Sequence, residues 1–109
     1  MIQVTIHQTD SRISGFEMSG HADFAEYGQD LVCAGASAVS FGAVNAIMAL
    51  TGIEPDIEQA DSGFLKIGFP ENVDRKTDEQ VQLLMRGMII SLETIEHDYA
   101  DFIKITFTA

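Results

Sequence analysis

The chain predicts one α+β domain over residues 1–109, with its elements in the order β-β-α-β-β-α-β. Three patterns predict it. Apolar and polar residues alternate near the N-terminus, a long uncharged stretch follows Asp30, and Val81, Leu84, Met88, Leu92 and Ile95 recur at helical spacing. Two similar ββα units and a closing strand imply two helices packed on a mixed, mostly antiparallel sheet, with the first helix extensively buried.

Ile2, Val4 and Ile6 alternate with Gln3, Thr5 and His7, the pattern of a half-buried strand. Thr9-Asp10-Ser11 supplies a turn, and Arg12 to Ser19, with Phe16 and Met18 on one face, closes a hairpin. Gly20 to Gly28 reads as a loop. Asp30 is a good N-cap for the first helix, and Thr51-Gly52 closes it. Glu54 to Ala60 predicts a third strand with Glu54, Asp56 and Glu58 on one face. Asp61-Ser62-Gly63 turns into a fourth, Phe64 to Phe69, which stops at Pro70. Thr77 and Gln80 form a capping-box pattern for the second helix, which runs to about His97. His97 there is suited to the negative end of the dipole rather than to chemistry. Ile103 to Thr108, with Ile103, Ile105 and Phe107 on one side, is the last strand.

Leu31 to Ile53 is uncharged and long enough to span a bilayer. Asp30 and Glu54 rather than Lys or Arg flank it, and it carries Ser37, Ser40, Asn45 and several glycines, so it reads as a buried helix with no membrane partner. A net charge of −11, from 17 acidic residues against 6 Lys and Arg, argues against direct binding to nucleic acid and fits a basic partner. The start, Met1-Ile2-Gln3-Val4-Thr5-Ile6, has no basic leader and does not read as a signal peptide. A single cysteine excludes an intramolecular disulfide and fits a cytoplasmic setting.

That cysteine, Cys33, stands three residues after Asp30, where unpartnered backbone N–H groups carry the positive end of the helix dipole. A thiol so placed is expected to have a lowered pKa, and the thiolate is the nucleophile. His21, in the loop entering the helix, is the residue type that serves a nucleophilic cysteine as base or ion-pair partner. The competing reading is a small core hydrophobe. His7, His21, His97 and Cys33 show no tight metal-ligand spacing, so no metal is expected. No phosphate-cradling motif appears, and no cofactor is expected.

Gly20-His21-Ala22, six residues, then Gly28-x-Asp30-x-Val32-Cys33-Ala34-x-x-Ser37 resembles the ribosomal-processing cysteine protease family. The resemblance implies a cytoplasmic, homodimeric endopeptidase that removes a short N-terminal extension from a large-subunit ribosomal protein, cutting after an aromatic residue in a hydrophobic segment. By position it makes Cys33 the nucleophile and His21 its general base. Thiol-protease chemistry then has the sulfur attack the scissile carbonyl and His21 protonate the leaving amine.

The neighbouring residues each have two readings. The backbone N–H groups of Cys33 and Ala34 are oxyanion-hole candidates. Gly35 either allows close backbone approach or packs the helix. Asp30 either orients His21 or caps the helix, and the sequence supplies the capping geometry directly. Ser37, one turn after Cys33, either hydrogen-bonds near the sulfur or packs the helix. In the loop, Phe24 and Tyr27 either contact an apolar substrate side chain or staple the core, and Gly28 is expected to take a positive φ. Asp23 and Glu26 would favour a basic substrate. Two rival classes remain. One is a non-enzymatic acidic interaction module that binds a basic ribosomal or assembly partner and buries Cys33; the other is a thiol-dependent redox or acyl-transfer protein.

Overall fold

The computed structural model describes residues 1–26, 28–60 and 63–108. Its elements are β1 (Ile2–Thr9), β2 (Arg12–Ser19), α1 (Leu31–Thr51), β3 (Asp56–Ala60), β4 (Phe64–Gly68), α2 (Arg75–Asp98) and β5 (Ile103–Phe107), the order the sequence predicts. They form one five-stranded sheet in the order β3-β4-β2-β1-β5. Every neighbouring pair is antiparallel except β1 and β5. The β3 and β4 strands are shorter than expected, starting at Asp56 and stopping at Gly68. Asp61 and Ser62 of the expected turn lie outside the described residues.

Asp10 and Ser11 both take positive φ, 49° and 69°, the twist that a two-residue hairpin loop needs between right-twisted strands. Alternation then sorts the two faces of the sheet. Ile2, Val4, Ile6, Phe16, Met18, Leu65, Ile67 and Ile103 are buried in one core with residues of both helices. The opposite face is wet, and there Glu17 meets His7 at 3.3 Å and Lys66 at 3.7 Å. Such half-exposed pairs add little stability. The result is two layers, helices on one side of the sheet only.

Asp30 caps α1, accepting from the N–H groups of Val32 and Cys33, and Gly52 ends the helix in the left-handed region at φ 75°. α1 is less extensively buried than its all-round apolarity predicts. Its buried residues, Val32, Ala36, Ser40, Val44 and Ile47, fall on one stripe, while Leu31 and Leu50 are 69% and 72% exposed. A two-layer fold gives this helix a sheet beneath it and α2 beside it, and among the described residues no third layer above. Among the described residues it is the one helix long and apolar enough to cross a membrane, and its stripe joins the core.

The start of α2 differs from the expected capping box. Asp74 is the N-cap, its carboxylate accepting from the Thr77 N–H at 3.4 Å, and Thr77 lies inside the first turn. An acidic residue three positions upstream of Thr77 starts the helix sooner than the Thr77 hydroxyl would. The buried stripe is Val81, Met85, Met88, Ile89 and Leu92, with Leu84 and Ile95 half-buried at its margins. His97, exposed in the last turn, bonds to Asp98 at 3.1 Å.

α2 is clamped to the β1–β2 hairpin by side chains that complete the hairpin's backbone bonding. Gln82 accepts from the Ile13 N–H at 2.7 Å and donates to the Ile13 carbonyl at 2.8 Å. Arg12 holds Asp78 through two nitrogens, at 3.2 and 2.9 Å, and Arg86 donates to the Ser11 carbonyl. Gln82→Ala leaves a donor and an acceptor of buried Ile13 without these partners. It is expected to cost about 1–3 kcal/mol in a denaturant titration. An unchanged unfolding midpoint would show that the clamp contributes nothing.

Candidate active site

The site forms where β2 runs into α1. Gly20, at φ 86°, turns the chain out of the sheet, His21 follows with its ring exposed, and Ala22 is buried. Asp23 and Gly28, both at positive φ (55° and 85°), lie in the loop that leads to Asp30, so the expectation for Gly28 holds. The Ala22 N–H donates to the Cys33 sulfur at 3.3 Å. That bond fixes the loop segment carrying His21 against the first turn of α1.

Asp30 is the fastener of this corner. Oδ1 accepts from the N–H groups of Val32 and Cys33, each at 3.0 Å, and Oδ2 accepts from the Phe24 N–H at 3.0 Å. Burial pushes its carboxyl up, but the N–H groups of Cys33 and Phe24 outweigh this and hold its pKa below the ordinary carboxylate value. Of its two readings, capping is the one these bonds display.

The lowered thiol pKa expected from the helix terminus is corrected. Burial is the largest influence on Cys33 and pushes its thiol up; the Ala22 N–H pulls it down, the Asp30 charge pushes it up again, and the balance stands above the ordinary value. Burial comes first, and the cap adds to it: the positive end of the helix is already answered by the Asp30 carboxylate, which repels a second anion. Cys33 is therefore a half-buried thiol whose pKa is held above the ordinary value.

The oxyanion-hole candidates need the same correction. The Cys33 N–H is committed to Asp30 Oδ1, and the Ala34 N–H donates to the Asp30 carbonyl at 3.0 Å in the first helical turn. An oxyanion would have to displace those bonds. The Ala22 N–H, which sequence reasoning did not single out, is the donor held at the sulfur.

Cys33, His21 and Ser37 line two cavities in common, of about 530 and 540 Å³. The first has apolar walls from Met18, Phe41, Phe64 and Leu65, and its rim is the β3–β4 hairpin with Gln59 and Gly63. The second is bounded by the loop and the helix start, with Asp23, Gly28, Asp30 and Ala34. Ser37 thus stands on the wall of both, and among the described residues its hydroxyl makes no bond to the sulfur. Nor does a hydrogen bond join His21 to Cys33 there.

Of the two readings of Phe24, the staple is the one the structure displays. Its ring meets Tyr99 and Phe102 edge-to-face, at centroid distances of 5.5 and 5.1 Å, which ties the loop to the α2–β5 turn. Tyr27 lies outside the described residues. Gly35 belongs to helix packing, since a Cβ there would meet Ile95 Cδ1 of α2 at 3.5 Å. The first cavity's apolar walls were legible only as core positions, because their convergence depends on strand order.

The family model for cysteine protease Prp matches residues 1–104. The ribosomal processing cysteine protease Prp of Bacillus subtilis strain 168 is 55% identical over 109 residues, covering 97% of this chain and 96% of that protein. Its counterpart from Staphylococcus aureus strain Mu50 is 46% identical, covering 98% and 99%. A crystal structure of the S. aureus essential ribosomal processing protease Prp, in complex with a covalently linked product peptide, superposes with a TM-score of 0.90 at 42% identity, over 99% of this chain and all of that one. With matches of this extent, the chain belongs to the cysteine protease Prp family.

Proposed function

We propose that this protein is a cysteine endopeptidase that removes a short N-terminal extension from a large-subunit ribosomal protein, with Cys33 as nucleophile and His21 as general base. The observation that carries the reading is the lining shared by the two cavities: one thiol and one imidazole stand where both meet. A peptide laid through both would present its scissile carbonyl to the sulfur. The relatives' names supply the ribosomal substrate, and S. aureus structures hold substrate and product peptides.

A thiol raised above its ordinary pKa suits the form of the mechanism in which attack and proton transfer go together. As the sulfur attacks the carbonyl carbon, its proton passes to His21; the imidazolium then protonates the leaving amine, and the acyl group stays on sulfur. Water, deprotonated by the same imidazole, attacks the thioester and releases the new carboxylate and the thiol. The apolar cavity suits the hydrophobic residues around the cut, including an aromatic one. The Asp23 side suits a basic flank, which the net charge of −11 also attracts.

The same reading makes the protein a cytoplasmic homodimer. Leu31 and Leu50 of α1 and Leu83 and Ile90 of α2 are exposed, at 69, 72, 72 and 64%, and a second copy would cover such surface. A single free cysteine suits a reducing compartment.

The test is to incubate the protein with a peptide spanning the extension and first mature residues of that ribosomal protein, following the products by mass spectrometry. One cut at the junction is expected, with His21→Ala slower by about 10²–10⁴-fold. No cut by wild type sinks the function; a fully active His21→Ala sinks the base.

A further inference from the structure

We propose that Gly63, in the turn between β3 and β4, is a positioning residue for His21: its missing side chain is the seat on which the imidazole rests. The inference depends on His21 acting as the base, as argued above. A Cβ built on Gly63 would stand 2.9 Å from the Gly20 carbonyl oxygen, 2.9 Å from His21 Cε1 and 3.2 Å from His21 Nε2. Carbon contacts under 3.0 Å are essentially never tolerated, so any side chain at position 63 must displace the ring, the Gly20 carbonyl, or both.

The surroundings decide which yields. The backbone next to His21 is fixed on both sides. Ala22 is buried with its N–H on the Cys33 sulfur, and at Gly20 a Cβ would itself collide with the Met1 carbonyl, at 2.5 Å. The imidazole is exposed and, among the described residues, takes part in no side-chain hydrogen bond, so rotation of the ring is the cheap response. It is also the damaging one. The contacted edge, Cε1–Nε2, carries one of the two nitrogens able to exchange a proton with the sulfur. Gly63 also lines the apolar cavity together with His21 and Cys33, so its contact lies inside the reaction space. The β3–β4 hairpin thereby does two things, walling the apolar cavity and fixing the orientation of the base at its rim.

Position 63 also needs a positive φ, 74°, so a plain substitution would mix backbone strain with the steric effect. Asn tolerates the left-handed region better than other residues, yet brings the same Cβ. Gly52 is the matched control: φ is 75°, and a Cβ there meets nothing within 4 Å. Gly63→Asn is expected to lower kcat about 10–100-fold with KM within about twofold, since a misplaced catalytic group costs rate rather than binding. The limb of the kcat pH profile that reports the base should move as well. Gly52→Asn is expected to keep the wild-type kcat and profile.

Wild-type kcat and an unshifted profile in Gly63→Asn, beside an inactive His21→Ala, would overturn this inference and leave the base assignment standing. An active His21→Ala would instead overturn the base. A measurement on the unmutated protein keeps the proposal testable if Gly63→Asn fails to fold: a strong NOE is expected between a Gly63 Hα and His21 Hε1. Its absence would overturn the contact.

Discussion

Cys33→Ala is expected to lower peptide cleavage by at least about 10³-fold, because the variant retains binding surface but has no atom that can form the acyl intermediate. The fold should survive. Cys33 is half-buried at the edge of the core, it forms no disulfide, and the bond that disappears is the one from the Ala22 N–H to sulfur, a weak acceptor. Far-UV circular dichroism and peptide affinity close to wild type would separate loss of chemistry from loss of structure. Cleavage by Cys33→Ala at more than a tenth of the wild-type rate would remove Cys33 as nucleophile.

Asp30 carries the second large effect, and its two substitutions are expected to move different observables. Asp30→Ala withdraws the acceptor for the N–H groups of Phe24, Val32 and Cys33 at once, so the loop carrying His21 and the helix carrying Cys33 lose their common anchor. The melting temperature should fall by roughly 5 °C or more, and cleavage by about tenfold or more. Asp30→Asn keeps an oxygen that can cap the helix but removes the charge. Burial and, after it, that charge hold the Cys33 thiol up, so without the charge the pH profile of iodoacetamide labelling should shift to lower pH. An unshifted profile would show that the carboxylate does not act on the sulfur.

Acidity supplies an independent check on the same residue. The folded carboxyl of Asp30 titrates below its unfolded value, so its contribution to stability is fully present above that unfolded value, about 3.9. The contribution is lost as the pH falls through the folded value beneath it. The difference in melting temperature between wild type and Asp30→Asn should therefore close in strong acid. A difference that persists unchanged there would assign the effect to packing.

Much of the architecture was legible because it is written locally. Alternation in β1 and β2, the Asp30 cap and the spacing in α2 are each decided within a few residues, and all survive in the structure. Strand order is decided by pairing between remote segments. The parallel alignment of β1 with β5 and the edge position of β3 were for that reason not visible. The site divides the same way. Cys33, His21 and Asp30 line one cavity. The direction of the thiol shift and the commitment of the first-turn N–H groups differ from the expectation, because burial of the thiol and the Asp30 carboxylate both act against the dipole. Gly63 carried no signal beyond a turn; the place its Cβ would take lies against His21 only after two hairpins are paired in one sheet.

A thiol whose pKa is raised is also a slower target for peroxide, since the first step of the oxidation ladder, to sulfenic acid, is taken by thiolate. Burial, with the Asp30 carboxylate adding to it, thus slows oxidation of the one cysteine of a chain that has no second cysteine to resolve a sulfenic acid as an internal disulfide.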